Sequence, residues 1–502
     1  MLESYLTQFV AVATPINLGV LAGAFTLGVL FGALPGLTAT LAVALLTTVT
    51  FGLPIDLTLF ALLGAYVGAI YGPSHTAILL GIPGTAAGAA TALDGHPLAK
   101  QGRGGQAIAT ATVASALGTL FGIIAMILIS PLLVRLALNF TSVEFFLLAL
   151  FGVLICGSLT SPDMPAKGWI AGLLGLLLAC VGIETLQGFQ RFTFGNPNLA
   201  GGIQVVPVIL GAFALPAIYR AMRDLGQETH SAPLDKLRPD MGEIWRSKFG
   251  IMRSGGIGVG IGTIPGVGED VAAWTSYDAA RKADRNPETF GTGNMRGVIS
   301  AETANNACIA GAIIPVLILA VPGSPPAAML LGALNLHNVR PGPMLAIENP
   351  DFIPLVAAIL TWSALCILVI GLLMARLSVY VLQVPAVVLM PVISFLAALG
   401  SYSLGLNIFN VYLMFLFGLG VYFLEEIGYP VAPAVIGLIL GTMADVNLRR
   451  ALQGSLGSLE GFYTRPVALV LIALIILSLS LQNRWLRQRL ARLRGRLTGQ
   501  EP

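Results

Sequence analysis

The chain of 502 residues contains long stretches without a single charged side chain. No Asp, Glu, Lys or Arg occurs within residues 4–55, 57–93, 104–134 or 377–424. A helix needs roughly 20 consecutive apolar residues to cross the hydrocarbon layer of a bilayer. A large soluble core would instead need polar faces on most of its helices, and these stretches have none. The sequence therefore predicts an all-α integral membrane protein.

The overall composition agrees with this class. Hydrophobic residues make up 56% of the chain and charged residues only 10%, whereas soluble proteins are about 25% charged. The cysteines are scattered through apolar segments without a C-x-x-C pair, which indicates core residues rather than a metal site or disulfides.

Pro-Gly dipeptides interrupt the apolar segments in a matched order. The first pair is Pro35-Gly36 and Pro83-Gly84, and the second pair is Pro265-Gly266 and Pro322-Gly323. Proline cannot continue the hydrogen bonding of a helix, and glycine accepts any backbone angle. We therefore expect one helix to end and another to begin at each dipeptide. Similar short tracts, LDGH and LNLH, follow the second break of each pair.

The matched order predicts two copies of one unit, each with two broken, re-entrant membrane segments. We expect the first transmembrane repeat at residues 1–219, a cytoplasmic linker at 220–252 and the second repeat at 253–450. A final span and a basic cytoplasmic tail would occupy 451–502. The whole would contain roughly 10–14 membrane segments. An odd number of crossings per repeat would make the repeats inverted.

Basic residues indicate which ends lie in the cytoplasm. The linker and the arginine-rich stretch from 484 to 496 are both basic, so the positive-inside rule places both in the cytoplasm, including the C-terminus. The loop 282–296 is also charged. We therefore expect segment 253–281 to enter and leave the membrane on one side. Arg449 and Arg450 precede the last span and do not fit this simple map.

A helix that begins at a break presents free N–H groups and the positive end of its dipole, which favour a carboxylate. Lys and Arg are absent from the breaks, so N–H groups and hydroxyls would have to hold an anion. We expect the anion near the membrane midplane, between the tips Gly36 and Gly266. The alternative is that the breaks only serve helix packing. The predicted substrate-binding residues are Pro35, Gly36, Thr38, Thr40, Pro83, Gly84, Thr85, Thr263, Pro265, Gly266, Pro322, Gly323 and Ser324.

Polar side chains near the breaks suit a coupling ion. Oxygen ligands are those that a hard cation such as Na⁺ prefers, and polar groups inside a membrane are costly unless they are paired. A proton carried by an acid is the other choice, and no other metal or cofactor is expected. The alternatives are interhelical hydrogen bonds, helix caps for the acids, and a structural histidine. The predicted ion-coupling residues are Ser74, His75, Thr76, Glu269, Asp270, Glu302, Thr303, Asn305 and Asn306.

The glycine-rich segment 255–268 does not predict a nucleotide site. No G-x-x-x-x-G-K-[ST] sequence occurs, so ATP is not bound through a Walker motif. Close helix packing explains these glycines better. The chain also lacks H-E-x-x-H and G-x-S-x-G, so no enzyme is expected, and nothing indicates a nucleic-acid partner.

Six tracts together resemble the large membrane subunit, of the TctA type, of the tripartite tricarboxylate transporters. The resemblance spans about residues 15–450 and implies a bacterial inner-membrane carrier. It implies import of di- or tricarboxylates or related acids, delivered by a periplasmic binding protein and driven by a Na⁺ or H⁺ gradient. A small membrane subunit would accompany the chain. The tracts are GALPGLTAT (32–40), YGPSHT (71–76), GIPGTA (81–86), LDGHPLAKQG (93–102), GTIPGVGE (262–269) and AETANNA (301–307).

A passive channel for organic anions is the alternative function. Channels usually build their filters from symmetric oligomers. An internal repeat with breaks near the membrane midplane instead favours alternating access by a carrier.

Overall fold

The structure is a computed structural model of the chain. It describes residues 1–34, 36–82, 84–161, 163–223, 235–381 and 386–480. Pro35 and Pro83, both predicted to bind substrate, lie outside the described residues, as do 224–234 of the predicted linker and 481–502 of the predicted tail. Of these described residues, 78% are helical and almost none form strands. The predicted all-α class is therefore confirmed.

The first part of the chain forms eleven helices and one small β-hairpin within the described residues. In chain order they are α1 (Leu2–Ala11), α2 (Pro15–Ala33), α3 (Ala39–Val49), α4 (Ile55–Tyr71), α5 (Pro73–Leu79), α6 (Ala86–Lys100), α7 (Gly104–Ala137), α8 (Ser142–Thr160), α9 (Pro165–Ala179), β1 (Gly182–Ile183), β2 (Gln190–Arg191), α10 (Pro197–Ala200) and α11 (Val205–Arg223).

The second part contains helices and connecting loops, with no strand among its described residues. A 3₁₀ turn (Pro287–Thr289) precedes α15, and a π-helical turn (Ile367–Gly371) joins α18 to α19. The helices are α12 (Met241–Arg246), α13 (Lys248–Gly262), α14 (Gly268–Ala283), α15 (Met295–Leu319), α16 (Pro325–Leu336), α17 (Leu345–Glu348), α18 (Phe352–Cys366), α19 (Leu372–Val381), α20 (Ala386–Ser403), α21 (Ile408–Glu426), α22 (Val431–Gly454), α23 (Glu460–Thr464) and α24 (Pro466–Ser480).

Eight helical segments of the described chain are long and apolar enough to cross a membrane. Shorter apolar helices, including α3 and α16, accompany them. The predicted membrane class is confirmed, whereas the inversion of the repeats stays a prediction. The eight segments are Pro15–Ala33, Ile55–Leu79, Gly104–Ala137, Ser142–Thr160, Met295–Leu319, Phe352–Leu377, Ile408–Glu426 and Val431–Gly454.

Each predicted break separates two helices. The chain leaves α2 at Ala33 and enters α3 at Ala39, and it leaves α13 at Gly262 and enters α14 at Gly268. The second break of each pair likewise separates α5 from α6 and α15 from α16. The local rule that Pro-Gly ends a helix thus holds at all four sites.

The chain divides into two compact units. Unit 1 comprises Met1–Leu138 and Gln204–Phe423, and unit 2 comprises Asn139–Ile203 and Leu424–Pro502. Each unit draws on both predicted repeats, so the units do not follow the expected boundary at the linker. The division into repeats stays a prediction.

In unit 1, glycines allow the long helices of each predicted repeat to pack closely. α2 packs along α4, and α13 packs along α15. A Cβ added to Gly68 would overlap the carbonyl oxygen of Phe25, and one added to Gly258 would overlap that of Ala304. These contacts bring backbone against backbone, which larger side chains would prevent. They agree with the packing role predicted for the glycines of 255–268.

In unit 2, β1 and β2 pair antiparallel and form a short hairpin. The Glu184 carboxylate accepts the N–H groups of Leu186 at 2.8 Å and Gln187 at 2.7 Å, which fixes the turn. Burial raises the pKa of Glu184, but these N–H groups outweigh burial and hold the pKa below its usual range. The turn therefore keeps a charged carboxylate.

Two ion-pair clusters hold the helices of unit 2. Arg191 donates to both carboxylate oxygens of Asp445, at 3.0 and 2.7 Å, and Arg449 donates to the same carboxylate at 2.9 Å. Arg465, just before α24, donates to Glu144 of α8 at 2.6 Å. The first cluster ties the hairpin to α22, and the second ties the starts of α8 and α24 together.

Candidate transport site

The two breaks of the second predicted repeat lie side by side. The N–H of Gly266 donates to the carbonyl of Pro322, and the N–H of Gly268 donates to the carbonyl of Gly323, both at 3.1 Å. A Cβ on Gly323 would overlap the carbonyl oxygen of Gly262. The α13–α14 break is therefore bonded to the break in front of α16.

The first predicted repeat shows a matching approach. A Cβ on Gly84 would overlap the carbonyl oxygen of Gly32, near the end of α2. Gly36 and Gly266 hold equivalent places and have φ angles of 85° and 72°. That left-handed region favours glycine. Gly36 is exposed, and the nearest atom to a Cβ added there would be the carbonyl oxygen of Ala217, 3.8 Å away.

Hydroxyl caps begin the helices after three of the breaks. The side-chain oxygen accepts a backbone N–H of the first turn at 3.2 Å for Thr38, 3.3 Å for Thr85 and 3.4 Å for Ser324. α14 has no side-chain cap and instead carries Glu269 and Asp270 in its first turn. A cap satisfies only one of the N–H groups at a helix start, so others remain for a ligand at α3. α16 instead begins with Pro325 and Pro326, which have no N–H to donate.

Helices α6 and α14 lie parallel, and an acid occupies their common starting end. The N–H of Ala87 in α6 donates to Asp270 in α14 at 2.8 Å. About two turns further along both helices, the hydroxyl of Tyr277 in α14 donates to Asp94 in α6, also at 2.8 Å. Asp270 thus places a carboxylate at the N-terminus of α6, where the helix dipole favours negative charge.

Helices α3 and α16 form the corresponding pair, without acids. They pack on each other, and their C-terminal ends meet at Thr58. Its hydroxyl lies 3.3 Å from the carbonyl of Thr50, just after α3, and 3.4 Å from Nε2 of His337, just after α16. The helices contain 11 and 12 residues, so they are nearly equal in length. Neither first turn contains an acidic residue.

A buried cluster links the acid-free pair to α14. The hydroxyl of Tyr66, in α4, donates to the carboxylate of Glu269. The hydroxyl oxygens of Tyr66 and Ser324 lie 2.6 Å apart. All three side chains are buried. Glu269 therefore does more than cap its own helix. It holds the hydroxyl of Tyr66, which in turn contacts Ser324, the residue directly before α16.

Glu302 is a buried carboxylate in α15, and no cation pairs with it among the residues that the structure describes. One oxygen accepts the hydroxyl of Thr91 at 2.6 Å, and the other accepts the hydroxyl of Ser115 at 2.9 Å. An uncompensated charge in an apolar interior is very costly. Glu302 must therefore carry a proton or face a bound cation.

Asn305 and Asn306 follow on the same helix. Their amide nitrogens donate to the carbonyls of Ile70 at 3.2 Å and Glu302 at 3.1 Å. Both amide oxygens are buried without a hydrogen-bond partner. Residues three and four positions apart share a helix face. The three residues therefore share a face of α15, from which Glu302 reaches α6 and α7 and Asn305 reaches α4.

The hydroxyls of the tract 74–76 are bonded to their own helix. Ser74 donates to the carbonyl of Tyr71 at 2.8 Å, and Thr76 donates to that of Pro73 at 3.1 Å. Nε2 of His75 lies 2.9 Å from the hydroxyl of Tyr71, which lies 2.7 Å from that of Thr112. This tract therefore forms a satisfied polar network in which all side chains are buried.

Other predicted residues have separate contacts. Thr303 donates to the carbonyl of Ala114, 3.4 Å away in α7, which ties α15 to α7. Thr263 donates to the carbonyl of Gly260 at 2.8 Å and is half-buried. Thr40 is buried in the first turn of α3. Glu302, Asn305 and Asn306 thus follow one another along α15, whereas Thr263 lies at the end of α13.

Sequence reasoning missed the tyrosines. Tyr66 and Tyr71 both lie in α4, in the uncharged apolar part that follows Asp56, and both bond to the polar clusters. A buried phenol needs a hydrogen-bond partner, so a tyrosine within an uncharged membrane stretch was an available signal. Asp94 was noted only as part of a tract, yet it accepts three backbone N–H groups of the loop before α15.

Among the described residues, no group of three or more His, Cys, Asp and Glu side chains could hold a metal ion. The oxygen cluster on α15 uses amides and one carboxylate instead. Such a set suits a hard monovalent cation better than a transition metal, which prefers nitrogen and sulfur ligands.

Comparisons with known proteins found two similar chains. A relative from Agrobacterium vitis, described as an uncharacterized 52.8 kDa protein in the TAR-I ttuC' 3' region, is 34% identical over 473 residues, which is 93% of each chain. A second protein of that organism, in the TAR-II ttuC' 3' region, is 34% identical over 214 residues, covering 43% of this chain and 88% of the relative. No solved structure matches.

The family match covers most of the chain. Residues 18–436 match the family described as Tripartite tricarboxylate transporter TctA family. All four breaks, the α3–α16 pair and the oxygen cluster on α15 lie inside this range. The chain therefore belongs to the TctA family of tripartite tricarboxylate transporters.

Proposed function

We propose that the chain is the carrier subunit of a secondary active importer for di- or tricarboxylates or related organic acids. Family membership supports tricarboxylate transport, and matched breaks within one chain favour alternating access over a passive pore. The observation that carries the proposal is the start of α3, which has no acid in its first turn and belongs to a helix that packs on α16.

The contrast between the two helix pairs supports an anion site. At α6 and α14, Asp270 supplies a carboxylate from within the protein. The first turns of α3 and α16 contain no acid, but Glu269 lies near the start of α16, where Tyr66 links it to Ser324. The start of α3 is therefore the helix end that is complementary to a carboxylate from outside. Each dipole contributes about 0.3–1 kcal/mol, and each hydrogen bond to the charged group about 1.5–3 kcal/mol.

The proposed substrate site centres on Gly36, Thr38, Thr40 and Ser324. This site differs from the position predicted from the sequence, which was between the tips Gly36 and Gly266. Because Gly266 bonds to the carbonyl of Pro322, the α13–α14 break is better suited to supporting α16 than to binding the anion. The roles of the other predicted substrate residues stay predictions.

The oxygen cluster on α15 supports sodium as the coupling ion. A proton on Glu302 would neutralise the carboxylate but leave the amide oxygens of Asn305 and Asn306 without a partner. Each unsatisfied buried acceptor costs about 1–3 kcal/mol. A sodium ion would satisfy all three side chains at once. We therefore propose Glu302, Asn305 and Asn306 as the core of the coupling site.

The contacts within unit 2 support an orientation. The starts of α8 and α24 meet through Glu144 and Arg465, while Lys167 at the start of α9 donates to the carbonyl of Ile427. α8 and α9 run in opposite directions, so α9 ends on the side where α8 and α24 begin. The β-hairpin directly follows α9 and therefore lies on that side as well. The basic tail lies beyond the other end of α24.

We therefore propose a cytoplasmic tail and a periplasmic hairpin, in a bacterial inner membrane. Arg449 lies on the hairpin side, but its pairing with Asp445 gives it a structural role, which explains why it departs from the charge rule. By family membership, the partners would be a small membrane subunit and a periplasmic solute-binding protein. The hairpin face is the one that a periplasmic protein could reach.

The first prediction tests the substrate site. Gly36→Val would place a β-branched side chain in left-handed backbone beside the anion, and Thr38→Val would remove a hydroxyl there. We expect each to raise the KM for carboxylate uptake about tenfold or more. Thr47→Val is the control, because the Thr47 hydroxyl donates within α3 at 2.8 Å. Equal uptake by all three variants, in vesicles that hold the complete transporter, would mean that the anion binds elsewhere.

The second prediction tests the coupling ion. Asn305→Ala and Asn306→Ala each remove a cation ligand, so we expect the sodium concentration for half-maximal uptake to rise about tenfold. The carboxylate KM should change less. The control is Thr119→Val, whose hydroxyl donates to the carbonyl of Ser115 within α7.

Unchanged sodium dependence in both asparagine variants, at normal expression, would refute the assigned cluster. Uptake by the native chain should saturate and stop when the sodium gradient is dissipated. Unsaturable uptake that ignores the gradient would instead support the passive channel.

The third prediction tests the orientation. Phe194 follows the hairpin and is 89% exposed, and Met164, before α9, is 54% exposed. In a chain without its native cysteines, Phe194→Cys should react with a membrane-impermeant thiol reagent added outside intact cells. Met164→Cys should react only after the membrane is opened. The reverse pattern would place the tail outside.

A further inference from the structure

A cavity of about 190 Å³ lies apart from the proposed transport site, at the base of the α13–α14 hairpin. It opens between the start of α13, the end of α14 and the start of α15. Gly250 and Asp284 both line it, so the two helices enter and leave the fold at the same end. Its polar lining consists of Arg246, Ser247, Arg253, Asp284, Arg296 and Ser300.

The charges of this lining are not balanced. Arg296 pairs with Asp284 at 2.8 Å and with Glu243 at 2.6 Å, and Arg246 pairs with Glu243 at 3.5 Å. In the part of the chain that the structure describes, Arg253 forms no ion pair. Burial raises the pKa of Asp284, but the N–H of Asn286 and the guanidinium of Arg296 outweigh it and lower the pKa. Two carboxylates, Asp284 and Glu243, therefore pair with Arg246 and Arg296, and the positive charge of Arg253 is left over.

Two donors in the lining lack partners. The hydroxyl of Ser247 has no hydrogen-bond partner, although the residue is only 8% exposed. Nε of Arg253 is buried and also unpaired. Buried donors are costly when they are left unsatisfied. A ligand that offers several acceptor oxygens and negative charge would satisfy both.

Guanidinium and hydroxyl groups together match a phosphate oxyanion. The planar guanidinium donates two parallel hydrogen bonds to a phosphate, and the compact hydroxyl reaches a third oxygen. A carboxylate has only two oxygens in one plane and would leave part of this set unused.

The neighbouring surface favours a lipid as the source of the phosphate. Trp245, Phe249 and Met252 are all exposed beside the cavity. Nζ of Lys248 lies 4.9 Å from the Trp245 ring and 5.3 Å from the Phe249 ring. Exposed aromatic and basic side chains of this kind are typical of the membrane–water interface, where anionic headgroups lie.

We propose that this cavity binds the phosphate of an anionic phospholipid, with Arg253 and Ser247 as its principal ligands. The site is a structural or regulatory lipid site and goes beyond the transport of carboxylates. A bound lipid would join the start of α13 to the end of α14 and the start of α15, at the base of a hairpin that carries one of the breaks.

The experiment measures lipid binding by the purified full chain. Phosphatidylglycerol is titrated into the detergent-solubilised protein, and bound lipid is counted by native mass spectrometry, with phosphatidylcholine as the uncharged comparison. We expect Arg253→Gln to weaken phosphatidylglycerol binding about tenfold and Ser247→Ala to weaken it by a smaller factor. Arg285→Gln, an exposed arginine outside the cavity, is the matched control and should bind as the native chain does.

Competition identifies the source of the phosphate. Inorganic phosphate should displace the lipid, whereas citrate at the same concentration should not. If inorganic phosphate binds in an Arg253-dependent way but phosphatidylglycerol does not, the phosphate site stands and its ligand is soluble. The proposal fails if Arg253→Gln and Arg285→Gln, both folded by thermal unfolding, lose lipid equally. It also fails if citrate displaces the lipid better than phosphate, because the cavity then belongs to the transported carboxylate.

Discussion

A helix that begins inside a membrane must satisfy its first N–H groups without water. This chain begins four such helices at its Pro-Gly breaks, and it arranges them as two parallel pairs. In one pair, Asp270 meets the N-terminus of α6. In the other pair, α3 and α16 begin with hydroxyl caps and no acid. This difference is the basis of the proposed binding site for an external carboxylate.

Backbone contacts make this arrangement possible. Gly266 and Gly268 bond to the break in front of α16, and close helix packing through glycine brings the breaks together. The Tyr66–Glu269 contact then fixes the first residue before α16. α15 is buried along its apolar length and carries the oxygen cluster. The proposed anion and cation sites therefore share the same buried scaffold, which is what coupled transport requires.

Local chemistry made part of this predictable. The four breaks and the caps Thr38, Thr85 and Ser324 follow from residues close in sequence. The pairing of helices does not, because Asp270 meets a helix nearly two hundred residues away. Membrane helices apolar on every side also give no periodic signal for which face meets which partner. For the same reason the partner of Tyr66 could not be read from its neighbours.

The most direct test is an experimental structure of the transporter with a bound dicarboxylate. Our account predicts density for the anion at the first turn of α3, beside Gly36 and Ser324, with Asp270 still bonded to Ala87. An anion at the start of α6 with Asp270 displaced, or one remote from all four breaks, would contradict it.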